Sequence, residues 1–209
     1  MIKKYLYLVF LILFSISCKE IAEKTSEVII ENQKKEISGK YHTIKAEKIK
    51  AFLPDGFKYI SQTDYLKYIK KTRDSITYSL EKKKIESNIE ENNKMYFFEN
   101  FKKNSIVNIF PVKHLPFSNE EAKYMLAIID KSIKEETNPN IEVENIGGEF
   151  KGNKNISIFK AIYRFKVPKS TTYFYKYTYF ISSSKKSCFI YINTPILFDY
   201  NPYIQKIRL

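Results

Sequence analysis

The sequence has no tryptophan, five glycines, two cysteines and only three arginines, Arg73, Arg164 and Arg208. Each scarcity excludes some chemistry. With Gly147-Gly148 and Gly152 placed where hairpin turns are expected, no glycine-rich loop is left to cradle a phosphate, and no nucleophile elbow presents a serine. Histidine is as rare. His42 and His114 stand far apart, without H-E-x-x-H spacing or a cysteine pair, so a zinc site would have to gather carboxylates from afar. Both read as loop or strand-end residues. The doublets Glu120-Glu121 and Glu135-Glu136 read as solvated charge at the two ends of a helix. No residue is therefore assigned to catalysis, to a metal or to a cofactor, and the chain reads as non-enzymatic.

Long apolar runs are also missing. The longest, "YLYLVFLILFSI" over residues 5–16, falls short of the roughly 20 residues that cross a bilayer as a helix. It follows Lys3 and Lys4 and ends among small serines, Ser15 and Ser17, the pattern of a removable signal sequence. Ser15-Ile16-Ser17-Cys18 resembles the lipobox of bacterial lipoproteins. That resemblance implies cleavage before Cys18 and a diacylglycerol on its thiol, so that palmitate-type chains hold the protein to a membrane. A plain secretory signal with a coincidental cysteine is the alternative. Residues 1–17 are then the signal peptide, 18–39 the anchor and tether, and 40–209 a single domain.

Residues 19–35 carry charge of both signs and little to bury, which predicts a flexible coil. The charges directly after Cys18 also resemble the surface-export signals of lipoproteins in the Bacteroidetes. The expected location is the outer membrane of the cell envelope, facing either the periplasm or the surface.

The formal net charge is +13, which raises the question of a nucleic-acid partner. Lysine, isoleucine, asparagine, tyrosine and phenylalanine are all abundant, and AT-rich codons encode them. A coding bias therefore accounts for the basicity, and no nucleic-acid partner is expected. With Cys18 acylated, Cys188 has no cysteine to pair with; in "SCFIYI" it reads as a small buried strand residue.

Along the folded part, an extended segment leads to a strand over residues 49–53 and a turn at Pro54-Asp55-Gly56, with a short strand over 57–60. Apolar spacing predicts helix over residues 64–92, with a break possible at 73–77. Two strands, 95–99 and 105–112, flank "NFKKN". Ser118 and Glu121 form a capping box for a helix through about Thr137, with an apolar stripe of Ala122, Met125, Leu126, Ile129 and Ile133. The rest is β-rich: "IEVENIGGEF" is expected to turn at Gly147-Gly148, and three strands then form an antiparallel meander.

This order, together with Pro54-Asp55-Gly56-Phe57, resembles the PsbP-like superfamily over most of residues 40–192. The resemblance implies an α+β fold, an antiparallel sheet flanked by two main helices in an α/β/α sandwich. It implies no catalytic residues.

One surface stands out. Tyr173, Tyr175, Tyr177 and Tyr179 share a face of their strand by the period of two, and Lys160 and Arg164 on the preceding strand lie beside them. Facing outward, this row would be an aromatic, cationic surface for a protein partner; facing inward, it would be half-buried packing under a helix. The leading reading is a lipid-anchored binding or accessory module. The alternatives are a small envelope enzyme with dispersed residues and a lipoprotein inhibitor of a secreted toxin.

Overall fold

From residue 39 onward the chain forms nine strands among the described residues. The computed structural model describes residues 37–72, 75–90, 94–137, 139–153, 155–166 and 172–209. Cys18, the lipobox and nearly all of the tether lie outside the described residues. The folded unit is Gly39–Leu209.

Strands β1 (Gly39–Ile44) and β2 (Ile49–Pro54) form a separate antiparallel hairpin. The main sheet has seven antiparallel strands in the order β3-β4-β5-β9-β8-β7-β6. They are β3 (Lys58–Ile60), β4 (Tyr96–Asn100), β5 (Ser105–Val112), β6 (Glu142–Gly152), β7 (Ile156–Lys166), β8 (Tyr173–Ser183) and β9 (Ser187–Thr194). Between β2 and β3, Gly56 adopts φ +93°, and a Cβ there would lie 2.8 Å from Asn100 Nδ2. The turn thus needs glycine for both conformation and space. Asn100 fills that space productively: its Nδ2 donates to the Asp55 carbonyl at 3.3 Å.

The predicted helix over 64–92 is two helices, α1 (Gln62–Thr72) and α2 (Ser75–Glu90). The third, α3 (Asn119–Glu136), starts at Ser118 with the capping box formed in full by Ser118 and Glu121. The expected turn at Gly147-Gly148 is not one. β6 continues through it, with a bulge between Asn145 and Gly147, and the chain reverses only between β6 and β7. There Asn153 Oδ1 accepts the N–H groups of Asn155 and Ile156 at 2.9 and 3.0 Å. Neither glycine is required by space: a Cβ on Gly148 would meet Leu126 of α3 at 3.4 Å and one on Gly147 would meet Ile162 at 3.5 Å, both ordinary contacts.

The fold is α+β, as the sequence implies, and its layers are specific. α1 and α2 pack Tyr65, Ile69 and Ile85 on Phe97 and Ile106 of β4 and β5. α3 packs Ala122 and Ile133 on Phe159, Ala161 and Phe180 of β7 and β8. Cross-strand register places both groups on one face of the sheet. The opposite face is covered by the β1–β2 hairpin and by a C-terminal strap, residues 195–209, with a one-turn helix α4 (Asn201–Ile204). Lys50 and Arg208 exchange backbone hydrogen bonds at 2.9 and 3.0 Å, stitching strap to hairpin. The third layer of the sandwich is therefore mostly extended chain.

Candidate functional site

The tyrosine row is on the hairpin face, and it is core. Tyr177 and Tyr179 are 1% exposed and Tyr175 is 8% exposed; only Tyr173, at the end of β8, reaches solvent. Their ring edges pack with Ile190, Ile192 and Tyr200, and their hydroxyls hold the strap. Tyr177 Oη accepts the Phe198 N–H at 2.9 Å, and Tyr179 Oη donates to Asn201 Oδ1 at 3.1 Å. Burial pushes both phenols above their usual range, so both stay protonated.

The cations beside the row are also committed. On β6, directly opposite, Glu149 takes Lys160 at 2.9 Å, Glu142 takes Lys166 at 3.4 Å, and Glu144 takes Arg164, which also stacks on the Tyr173 ring at 4.9 Å. Of the two orientations the sequence left open, the outward aromatic and cationic patch is thus corrected and the inward one found, with the hairpin and strap as cover in place of a helix. The face-sharing predicted from the period of two holds; what overturns exposure is the strap, which seals the row from solvent.

The remaining singled-out residues are structural in placement. His42 sits on β1 with its ring 5.0 Å from Phe98, and burial lowers its pKa. His114 is exposed in the loop before α3. Cys188 is fully buried on the hairpin face, and burial pushes its thiol up to about 12. Glu121 closes the α3 cap, and both Glu120 and Glu121 are exposed. Among the described residues no group of three potential metal ligands converges.

The concave site lies on the other face. α1 and α2 cover β3 to β5, α3 covers β6 to β8, and the seam between them leaves part of β8 and β9 open. The result is a groove of about 760 Å³. Its floor is Lys176, Thr178 and Phe180 of β8 with Phe189 and Tyr191 of β9; its wall is the α3 side carrying Met125, Ile128 and Ile129. The floor rings form a ladder, with Phe180–Phe189 centroids 4.6 Å apart and Phe189–Tyr191 at 5.9 Å, nearly parallel. Phe117 closes one end, 4.7 Å from Phe180.

Local hydrogen bonds hold that end in place. The Leu115 N–H donates to Ser187 Oγ at 3.0 Å, Ser182 Oγ donates to the Leu115 carbonyl, and Ser187 Oγ donates to Ser182 Oγ at 3.0 Å. On its far side, α3 is fixed by Asp130, which accepts from the Tyr163 hydroxyl. The wall facing the groove is wetter than a core requires: Tyr124 is 74% and Ile128 57% exposed. One strand beyond Tyr191, the buried Asn108 Oδ1 has no donor among the described residues.

None of these groove residues was a site candidate from sequence. The available signal was on α3, where Tyr124 and Ile128 extend the apolar stripe by one further i,i+4 pair, more than one packed face needs.

No protein-family model matches this chain, and no curated protein matches it. Among solved structures, the chain is similar to cyanobacterial PsbP (CyanoP) from Synechocystis sp. PCC 6803, with a TM-score of 0.51 at 8% sequence identity over 83% of this chain and 93% of that one. The likeness defines a PsbP-like fold.

Proposed function

We propose that this protein is a lipid-anchored lipoprotein of the bacterial cell envelope whose PsbP-like domain is a non-enzymatic binding or accessory module, with the groove between α3 and the sheet as its binding site. The groove itself carries the reading. A concave, mostly apolar surface with a few polar groups around it, here Lys176, Thr178, Glu120 and Glu121, is the usual form of a ligand site. Burial pushes the Tyr191 phenol up to about 12, so at neutral pH it stays protonated and lines the groove as a hydrogen-bonding group. The anchor rests on the sequence through Cys18.

Two measurements test this. N-phenyl-1-naphthylamine, a neutral apolar fluorophore, should brighten on the wild-type protein and lose most of that signal with Ile128→Glu, a change at an exposed wall position that leaves the core intact. Equal brightening by both proteins contradicts the groove. Cys18→Ala should abolish metabolic labelling by palmitate; undiminished labelling contradicts the anchor.

A further inference from the structure

The outer face of the β1–β2 hairpin and its strap carries cations that no carboxylate meets. Register sets Tyr41 opposite Phe52 and Thr43 opposite Lys50, while Ile49, Ala51 and Leu53 belong to the core beneath. The strap adds a third row. Lys50 and Arg208 pair directly across the backbone, so two like charges lie side by side on one face, an arrangement that costs stability unless an anion offsets it. Lys206 Nζ stands 4.7 Å from the Phe52 ring centroid, and the Arg208 guanidinium 5.1 Å from that of Tyr41. Lys45 and Lys48 stand at the hairpin tip. All five cations are exposed, and none is within ion-pair distance of a carboxylate among the described residues.

A coding bias supplies lysines without choosing where they go. On β7 the sheet answers its cations, since Lys160, Arg164 and Lys166 each take a glutamate of β6. Of the two arginines among the described residues, Arg164 is paired and Arg208 is set beside another cation. The neighbouring acids do not offset it: Glu47 takes Lys186 at 3.9 Å, Asp199 accepts the Asn201 N–H at 3.0 Å, and Asp55 lies in the turn beyond Pro54.

We propose that this face rests on a bilayer containing anionic phospholipid, with lipid phosphates offsetting Lys50, Lys206 and Arg208. Two observations select a membrane. The chain enters the domain here: Gly39, at the start of β1, lies against Phe52, and a Cβ on it would come within 3.1 Å of that ring. Given the anchor at Cys18, on which this reading rests, a coil of about 20 residues reaches roughly 25 Å and holds this face near the lipid surface. The second observation is shape. The cations are spread over a surface instead of converging on a cleft, which suits a plane of many phosphates, and Tyr41, 41% exposed among them, is a residue that sits well at headgroup level. The groove, on the opposite side of the sheet, is then turned away from the lipid.

The test uses residues 18–209 carrying Cys18→Ala, the mature chain of that reading without its acyl groups. Sedimentation with vesicles compares phosphatidylcholine alone with an equal mixture of phosphatidylcholine and phosphatidylglycerol. Binding is expected only to the mixture, and high salt should release it. Lys50→Gln, Lys206→Gln and Arg208→Gln together should weaken it at least about tenfold, given ~fivefold per charge near an anionic surface. Lys71→Gln, Lys123→Gln and Lys134→Gln, an equal loss of exposed charge on the helices of the other layer, should weaken it less than about twofold. The first triple variant should melt no lower than the wild type, because it relieves a like-charge pair.

Absence of binding to the mixed vesicles overturns the proposal, and so does an equal loss from the two triple variants. Capture of a single-stranded oligonucleotide through Lys50, Lys206 and Arg208, with no binding to vesicles, puts nucleic acid on this face and also overturns it. These chains carry no acyl group, so the vesicle result is independent of whether palmitate labels Cys18, and failure of the anchor is distinguished from failure of this face.

Discussion

The Phe198 amide donates to Tyr177 Oη at 2.9 Å, and this bond ties the strap to the closed side of the sheet. It draws the strap over the tyrosine row, with Tyr200 following it into an edge-to-face contact 5.1 Å from Tyr177. Tyr177→Phe removes only the acceptor and should cost about 1 kcal/mol in urea denaturation. Tyr175→Ala with Tyr177→Ala empties two core positions at about 3–5 kcal/mol each. That double variant is expected to unfold or nearly so, whereas a row serving only as a docking surface would leave the denaturation midpoint unchanged.

Glu99 lies buried on β4, and desolvation raises its carboxyl to about 7. The folded state therefore holds the proton more tightly than the unfolded state does. The stability this supplies is complete below the ordinary glutamate range, near 4.5, and is lost as pH rises through about 7. Between those limits the wild type should lose on the order of 2 kcal/mol from this group as pH increases. Glu99→Gln should flatten that slope and raise the melting temperature at pH 8, as read by circular dichroism.

Cys188 is enclosed between the sheet and the hairpin, with a thiol that burial keeps protonated. In the Cys18→Ala chain it is the only thiol. It should not react with Ellman's reagent in native buffer, and should react at once in denaturant. Fast native labelling would mean that the hairpin opens readily.

Asn108 buries an oxygen for which the described residues supply no donor. Asn108→Leu keeps the volume and removes the unmet group, so a gain of about 1 kcal/mol in urea denaturation is expected. A loss would show that this oxygen is satisfied by water or by a ligand.

Much of the fold was legible because it is encoded locally. The Ser118–Glu121 box set the start of α3, the Pro54-Asp55-Gly56 turn set the end of β2, and the period of two placed Lys160 and Arg164 beside the tyrosines. What failed was long-range. No local pattern told that residues 195–209 return across the sheet, and their return made the tyrosine face a core. Glutamates on β6, outside the tyrosine reading, neutralise Lys160, Arg164 and Lys166. Gly147-Gly148 looked like a turn because glycine pairs make turns, yet here they pair regularly with Ile162 and Ala161 just past a bulge between Asn145 and Gly147. The groove was least visible of all, since it is the gap left between two helical packs rather than a motif of either.

Methyl NMR on isotope-labelled protein, titrated with N-phenyl-1-naphthylamine, reads occupancy of the groove residue by residue. The methyl signals of Met125, Ile128 and Ile129 should shift saturably, while those of Ile190 and Ile192 under the hairpin and strap stay in place. Shifts confined to Ile190 and Ile192, or none anywhere, would contradict a binding site between α3 and the sheet.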